Sequence, residues 1–210
     1  MSQRLPYIDD DQALLDAARD AIMDFGVRRT TLTDVARRAG VSRMTIYRRH
    51  SDIASIISDL MTRDFGAAIA QAAKRAKGQS GRERLLDEVL LSVEALIASP
   101  LFQRILDVDP ELVLPYLTVR RGAIQQLAII RLIEMVVEGQ ADGSIRSADP
   151  KLMAQAIELS LRGYVGASRS DSPRTVRDLG AEFKAMLDGY LAPAPQNGTA
   201  QASDRAMVNR

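Results

Sequence analysis

Apolar residues along this chain recur at spacings of three and four, the period of a helix with one buried face, and nowhere alternate long enough to suggest paired strands. Leu14, Ala18, Ile22 and Phe25 mark a first helix that starts behind Asp9-Asp10-Asp11 and is stopped by Gly26. After two short helices within 31–50, a long one is expected from about 52 to 77 on Ile53, Ile56, Ile57, Leu60, Met61 and Phe65, broken by Gly78-Gln79-Ser80-Gly81. Leu85, Leu86, Val89, Leu90, Val93, Leu96 and Ile97 define the next, up to Ser99-Pro100, and a short helix follows over about 101–108. A single long helix is then predicted from Leu112 through Val137, irregular in its first turn at Pro115 and ended by the run 139–143. Two more helices span about 150–168 and 172–191, and the remainder to 210 lacks both period and core residues, as a disordered tail does. The pattern predicts an all-α chain of about nine helices.

The stretch 31–50 carries the most local detail. Thr31 and Asp34 form a capping box, Gly40 supplies the φ > 0 turn that lets the chain reverse after Ala39, and Ser42 can cap a second helix through Arg49. Ala36 permits close approach, while Val35, Val41 and Ile46 supply the inner face, which leaves Arg43, Met44, Tyr47 and Arg49 pointing outward. Over 28–50 seven arginines (Arg28, Arg29, Arg37, Arg38, Arg43, Arg48 and Arg49) oppose only Asp34, a local net of +6 in a chain of net +1. Cap, Gly turn, second cap and basic face together are the pattern of a DNA-reading helix-turn-helix, the alternative being a helical hairpin with a merely solvated face. Arg37 and Arg38 fit either reading.

Composition narrows the chemistry. With 210 residues and 46% hydrophobic content the chain can bury a sizeable core. It has no cysteine and one histidine, which removes disulfides and thiolate chemistry and leaves any metal site to lean on carboxylates. No phosphate-cradling Gly motif follows a strand pattern, and Asp107, Asp109 and Glu111 around Pro110 read as a helix cap. No enzyme, metal or cofactor is expected. The N-terminus lacks an apolar signal core and no stretch approaches the roughly 18 uncharged apolar residues of a membrane span, so a cytoplasmic location with no membrane partner is expected. The Asn197-Gly198-Thr199 sequon then reads as chance.

The motif Leu32-x-x-Val35-Ala36-x-x-Ala39-Gly40-Val41-Ser42-x-x-Thr45-Ile46-Tyr47, behind a helix ending Asp24-Phe25-Gly26 and ahead of a long apolar helix, resembles the DNA-binding domain of the tetracycline-repressor (TetR) family of transcription regulators. The likeness covers about the first quarter of the chain; beyond residue 65 only the helical architecture matches. It implies a three-helix helix-turn-helix DNA-binding domain over 1–51, a helical ligand-binding and dimerisation domain over 52–191, and a tail over 192–210. By the same resemblance Ser42, Arg43 and Met44 face base edges of a double-stranded operator, an arginine there favouring guanine. Thr45 and Tyr47 resemble phosphate clamps, Arg48 and Arg49 add charge, and Thr31 or Thr33 presents hydroxyl and N–H groups at the start of the first reading helix. Two positions depart from the family pattern: His50 stands where an aromatic is usual and reads as a structural histidine, and Ile53 replaces a lysine that meets the operator backbone.

The last two helices carry apolar columns, Leu152, Met153, Ala156, Ile157, Ser160, Leu161, Tyr164 and Val165 on one, and Val176, Leu179, Phe183, Met186 and Tyr190 on the other. On pattern alone they can pack within their own chain; the resemblance implies a four-helix bundle with a second copy, with Ile157, Leu161, Tyr164, Leu179, Phe183 and Met186 at a homodimer interface. It also implies an inducer pocket among the central helices, for which Arg120, Gln125 and Arg131 are candidates because they interrupt an apolar run. An aromatic content of 4% argues against a pocket of stacked rings for flat cations. The expected function is a dimeric regulator of transcription, a repressor released from a palindromic operator by a small molecule, and the alternative is a helical ligand-binding or interaction module of the same fold without operator binding.

Overall fold

A computed structural model describes residues 6–111, 121–167 and 173–194, with side chains from Asp11 onward at the N-terminal end and from Asp178 in the last helix. Within them the chain forms α1 (Pro6–Phe25), α2 (Leu32–Ala39), α3 (Arg43–Arg49), α4 (Ile53–Arg75), α5 (Gly81–Ile97), α6 (Pro100–Val108), α7 (Ala123–Ala141), α8 (Pro150–Ala167) and α9 (Pro173–Leu191), and no strand is present among the described residues. The expected all-α fold stands. Helix α1 begins earlier than the sequence suggests, at Pro6, so the acidic run lies inside its first turns; proline is well suited to a first helical position because it has no N–H to leave unpaired.

The single helix expected from Leu112 to Val137 does not form. Gly122 has extended backbone (φ −86°, ψ −177°) and precedes α7, its N–H donating to Gln125 Oε1 at 2.9 Å. Apolar spacing continues through this point, so periodicity alone misses the break; a glycine that weakens a helix interior and a glutamine able to bond back to its N–H are the local cause. Arg120 and Pro115 lie outside the described residues, as do 195–210 of the expected tail.

Two apolar clusters organise the molecule. The first joins Leu14, Ala18 and Ile22 of α1, Leu32, Val35 and Ala36 of α2 and Ile46 of α3 to Ile56, Leu60 and Phe65 of α4, and continues into Leu101, Phe102, Ile105 and Leu106 of α6. The second gathers Leu85, Leu86 and Val89 of α5, Leu132, Met135 and Val136 of α7, Met153 and Ile157 of α8, and Phe183, Leu187 and Leu191 of α9. Phe25, expected on the inner face of α1, is instead half-exposed under the Arg38 guanidinium, 5.1 Å from its ring centroid. The α6 helix packs against both α1 and α5, between the reading end and the rest.

Candidate nucleic-acid interface

The reading pair is built by its caps. Thr31, in extended backbone, accepts the Asp34 N–H at 3.2 Å through Oγ1 and donates to Asp34 Oδ2 at 2.6 Å. That hydroxyl, more than the nearby Arg37, holds the Asp34 carboxyl below its ordinary range. Gly40 closes α2 at φ 69°, ψ 22°, and an added Cβ would meet nothing within 4 Å, so the demand for glycine is one of backbone conformation alone. Ser42 Oγ then accepts the Thr45 N–H at 3.1 Å and lies 2.9 Å from the Thr45 hydroxyl. Ile46 faces inward and is fully buried; Ser42, Arg43, Met44, Tyr47 and Arg48 face out, Met44 at 78% and Tyr47 at 55% exposure. Residues 43, 44, 47 and 48 share one face of a helix, so the outward set is a continuous surface. Thr33 and Thr45 are half-buried beside it.

The structure sorts the seven arginines. Arg28 pairs with Glu111 and lies 3.3 Å from Asp109, Arg37 reaches Asp34 at 3.5 Å, and Arg38 pairs with Asp24 at 2.9 Å. Arg49, expected to face the operator, turns back onto α1: its Nη1 lies 2.9 Å from Asp11 and its side chain is 9% exposed. The reason is geometric, since position 49 falls on the same side of α3 as the buried Ile46. Arg29, Arg43 and Arg48 make no ion pair among the described residues, and two of these three stand on the outer face of α3. His50 is buried at the end of α3, its backbone N–H donating to the Ile46 carbonyl at 2.9 Å and its Nδ1 3.6 Å from Asp59. Ile53 is half-buried against the first cluster, so its side chain contributes to packing where a lysine would carry charge.

Below the reading end lies a cavity of about 660 Å³, bordered by α4, α5, α6, α7 and α8. Its wall is mainly aliphatic, with Phe65 and Phe102 packed edge to face at 5.8 Å. Among the described residues two arginines line it, each already bound. Arg131 donates from Nε and Nη2 to the two oxygens of buried Glu88, both at 2.7 Å, and from Nη1 to Glu134 at 3.2 Å. Arg162 grips Glu158 in the same two-pronged way at 2.6 and 2.8 Å, one turn apart on α8. Gln125 lines the cavity as well as bonding to Gly122. Glu88, Glu158 and Arg162 escape a reading of the sequence. The only available signal is a charged residue on an otherwise apolar face, which more often marks exposure.

One strut links cavity and reading pair. Phe102 and Ile105 of α6 line the cavity, and at the end of that helix the fully buried Asp109 accepts the Val27 N–H at 2.7 Å, in the turn between α1 and α2. Asp109, read from the sequence as a helix cap, closes the end of α6 and is a tether between distant segments. Gly26 turns beside it at φ 79°, and a Cβ there would come within 2.8 Å of Val108. Two of the residues expected at an interface on the last two helices are closed within their own chain. Ile157 is fully buried and Phe183 nearly so, stacked on Tyr164 at 5.0 Å within their own chain, so neither is open to a second copy. The exposed apolar residues are Leu152 and Leu159 on α8 and Leu179 and Met186 on α9, each pair seven residues apart. Leu161 is half-buried between the clusters. Among the described residues no group of three or more His, Cys, Asp or Glu could hold a metal ion, and no helix is long and apolar enough to cross a membrane.

Comparison with known proteins agrees with this geometry. Residues 14–60 match the family described as bacterial regulatory proteins, tetR family. An uncharacterized HTH-type transcriptional regulator of Mycobacterium bovis is 32% identical over 179 residues, covering 85% of this chain and 92% of that protein. Among solved structures, the transcriptional repressor QsdR of R. erythropolis, from the TetR family, superposes with a TM-score of 0.68 at 16% identity, covering 89% of this chain and 97% of its own. SmeT in complex with triclosan superposes with a TM-score of 0.58 at 20% identity, covering 87% and 91%.

Proposed function

The chain belongs to the TetR family of bacterial regulatory proteins, transcriptional regulators with a DNA-binding helix-turn-helix, and on that basis we propose that it acts in the cytoplasm as a homodimeric, ligand-released repressor of a palindromic operator. The observation that carries the reading is the outer face of α3, where Arg43 and Arg48, with no ion pair among the described residues, stand beside exposed Met44 and Tyr47 on a helix locked at both ends by its caps. Arg43 can donate two bonds to a guanine in the major groove, Met44 can meet a thymine methyl, and Tyr47, Thr45 and Arg48 suit phosphates. Dimerisation is supported by the heptad-spaced Leu152, Leu159, Leu179 and Met186, apolar groups that a monomer leaves in water. Ligand control is supported by the cavity and by α6, which touches it with Phe102 and Ile105 and holds the α1–α2 turn through Asp109. A molecule that displaces α6 would draw on that turn and change the separation of the two reading helices. SmeT, a structural neighbour, was solved with triclosan.

The test is selection of bound sequences from a random duplex pool. A near-palindrome with a guanine at a symmetric position in each half is expected. Recovery of nothing reproducible would leave the alternative, a ligand-binding or interaction module of this fold.

A further inference from the structure

Among the described residues, both arginines that reach the cavity are closed by carboxylates, and this restricts what can enter it. Each lining guanidinium among the described residues is held by a lining carboxylate, so an anion would have to prise Arg131 or Arg162 from its two-pronged partner, leaving that partner buried and uncompensated. A cation fares no better. Both oxygens of Glu88 and of Glu158 are taken, and Glu111 is held by Arg28 at the rim. Among the described residues the wall has two phenylalanine rings, turned edge to face on each other, which form no aromatic cage. Unused polar capacity remains for a neutral guest. Gln125 spends its Oε1 on the Gly122 N–H while its amide N–H groups have no hydrogen-bond partner among the described residues and can donate to an acceptor on the guest. The Thr62 and Ser92 hydroxyls give their protons to the Ser58 and Glu88 carbonyls of their own helices and contribute little polarity beyond that. The rest of the wall is aliphatic, with Met61 and Met135 able to adapt in shape.

We infer that the cavity selects an uncharged, mainly aliphatic molecule bearing a hydrogen-bond acceptor of the carbonyl type, and that the Glu88–Arg131 and Glu158–Arg162 pairs act as the filter that rejects both carboxylates and ammonium ions. This rests on the proposed regulator reading for the site but not for its chemistry.

Methyl octanoate, octanoate and octyltrimethylammonium share an alkyl chain and differ in charge. Titrated into the full-length protein and followed by calorimetry and thermal shift, the ester should bind at least about tenfold more tightly than either ion. An ion that equals the ester, or an ester that does not bind, overturns the inference. Glu88→Gln should open the Arg131 guanidinium, strengthening octanoate about tenfold while moving the ester less than about threefold. Glu158→Gln repeats the test on the second pair, so the result survives if one variant folds poorly; octanoate affinity unchanged in a folded variant removes that pair from the filter. Release of operator DNA is read separately by fluorescence anisotropy. An ester that binds without releasing DNA supports the ligand class and overturns ligand control, whereas octanoate that binds and releases DNA does the reverse.

Discussion

The reading head and the cavity use the same side chain for opposite ends. On α3, Arg43 and Arg48 stand exposed with no ion pair among the described residues, a state that costs little because water solvates the charge and that leaves it available to a polyanion. At the cavity wall, Arg131 and Arg162 are each locked on a buried glutamate, because a guanidinium withdrawn from water has to be matched. The lesson is that an arginine's job is set by its nearest carboxylate. Arg49 makes the point inside one helix: a turn away from solvent and facing Asp11, it belongs with the second group although it sits in the first.

The hardest way to break this contrast is to attack the two kinds of apolar residue on α8. Ile157, fully buried, and Leu159, 54% exposed, are two positions apart on one helix. Ile157→Ala should cost about 2–5 kcal/mol of folding stability through lost transfer energy and the void left behind, read as a fall in the denaturation midpoint. Leu159→Glu should leave the circular dichroism of a helical protein and dissociate the proposed dimer in sedimentation, with DNA affinity falling alongside. A dimer that survives Leu159→Glu together with Leu152→Glu would place the contact between copies on another face.

These residues also mark how far the sequence could be read. Thr31, Asp34, Gly40 and Ser42 act within a few residues of themselves, so the reading pair and its turn are legible from local chemistry, as is the overall helical class from apolar spacing. Where α8 turns its columns is decided by α5, α7 and α9, which the spacing of α8 does not encode; hence Ile157 and Phe183 were expected on the wrong side and Leu159 passed unnoticed. The pair formed by Glu88 and Arg131 joins residues 43 positions apart, and Asp109 meets Val27 across 82. Nothing along the chain announces either meeting. Gly122 was visible as a glycine, but an uninterrupted apolar period on both sides hid its role as a break.

Within the head the contrast sharpens at Arg43 and Arg49. Arg43→Ala should lose about 1–3 kcal/mol on the preferred operator and relax selectivity at one base position, measured by anisotropy across single-base variants. Arg48→Ala should weaken all sequences alike and lower the slope of log K against log salt by roughly 0.9 per subunit. Arg49→Ala should leave that slope unchanged and lower the melting temperature instead, because its partner is Asp11 of α1. A reduced salt slope for Arg49→Ala would mean that the side chain leaves α1 when DNA binds. An Arg43→Ala loss spread evenly over every variant would remove Arg43 from the base-reading set.

The smallest effect separates the two regions by acid. Asp34 in the head is held below its ordinary value of 3.8 by the Thr31 hydroxyl first and by Arg37 after it, and Asp142 at the start of the α7–α8 connection is held down by the Ser144 hydroxyl and the Gly81 N–H. A carboxyl whose folded-state pKa is depressed contributes stability that is complete above the unfolded value and is lost as pH falls through the folded one. Both contributions should therefore be intact at neutral pH and fade only below about pH 4. Thr31→Ala should cost about 0.5–2 kcal/mol through the lost cap and, at the same time, return Asp34 toward its ordinary titration while leaving Asp142 where it was. Carboxyl chemical shifts followed from pH 6 to pH 2 distinguish the two sites. If Asp34 titrates unchanged in Thr31→Ala, the capping hydroxyl is not what depresses it, and the start of α2 is held by Arg37 or by its backbone alone.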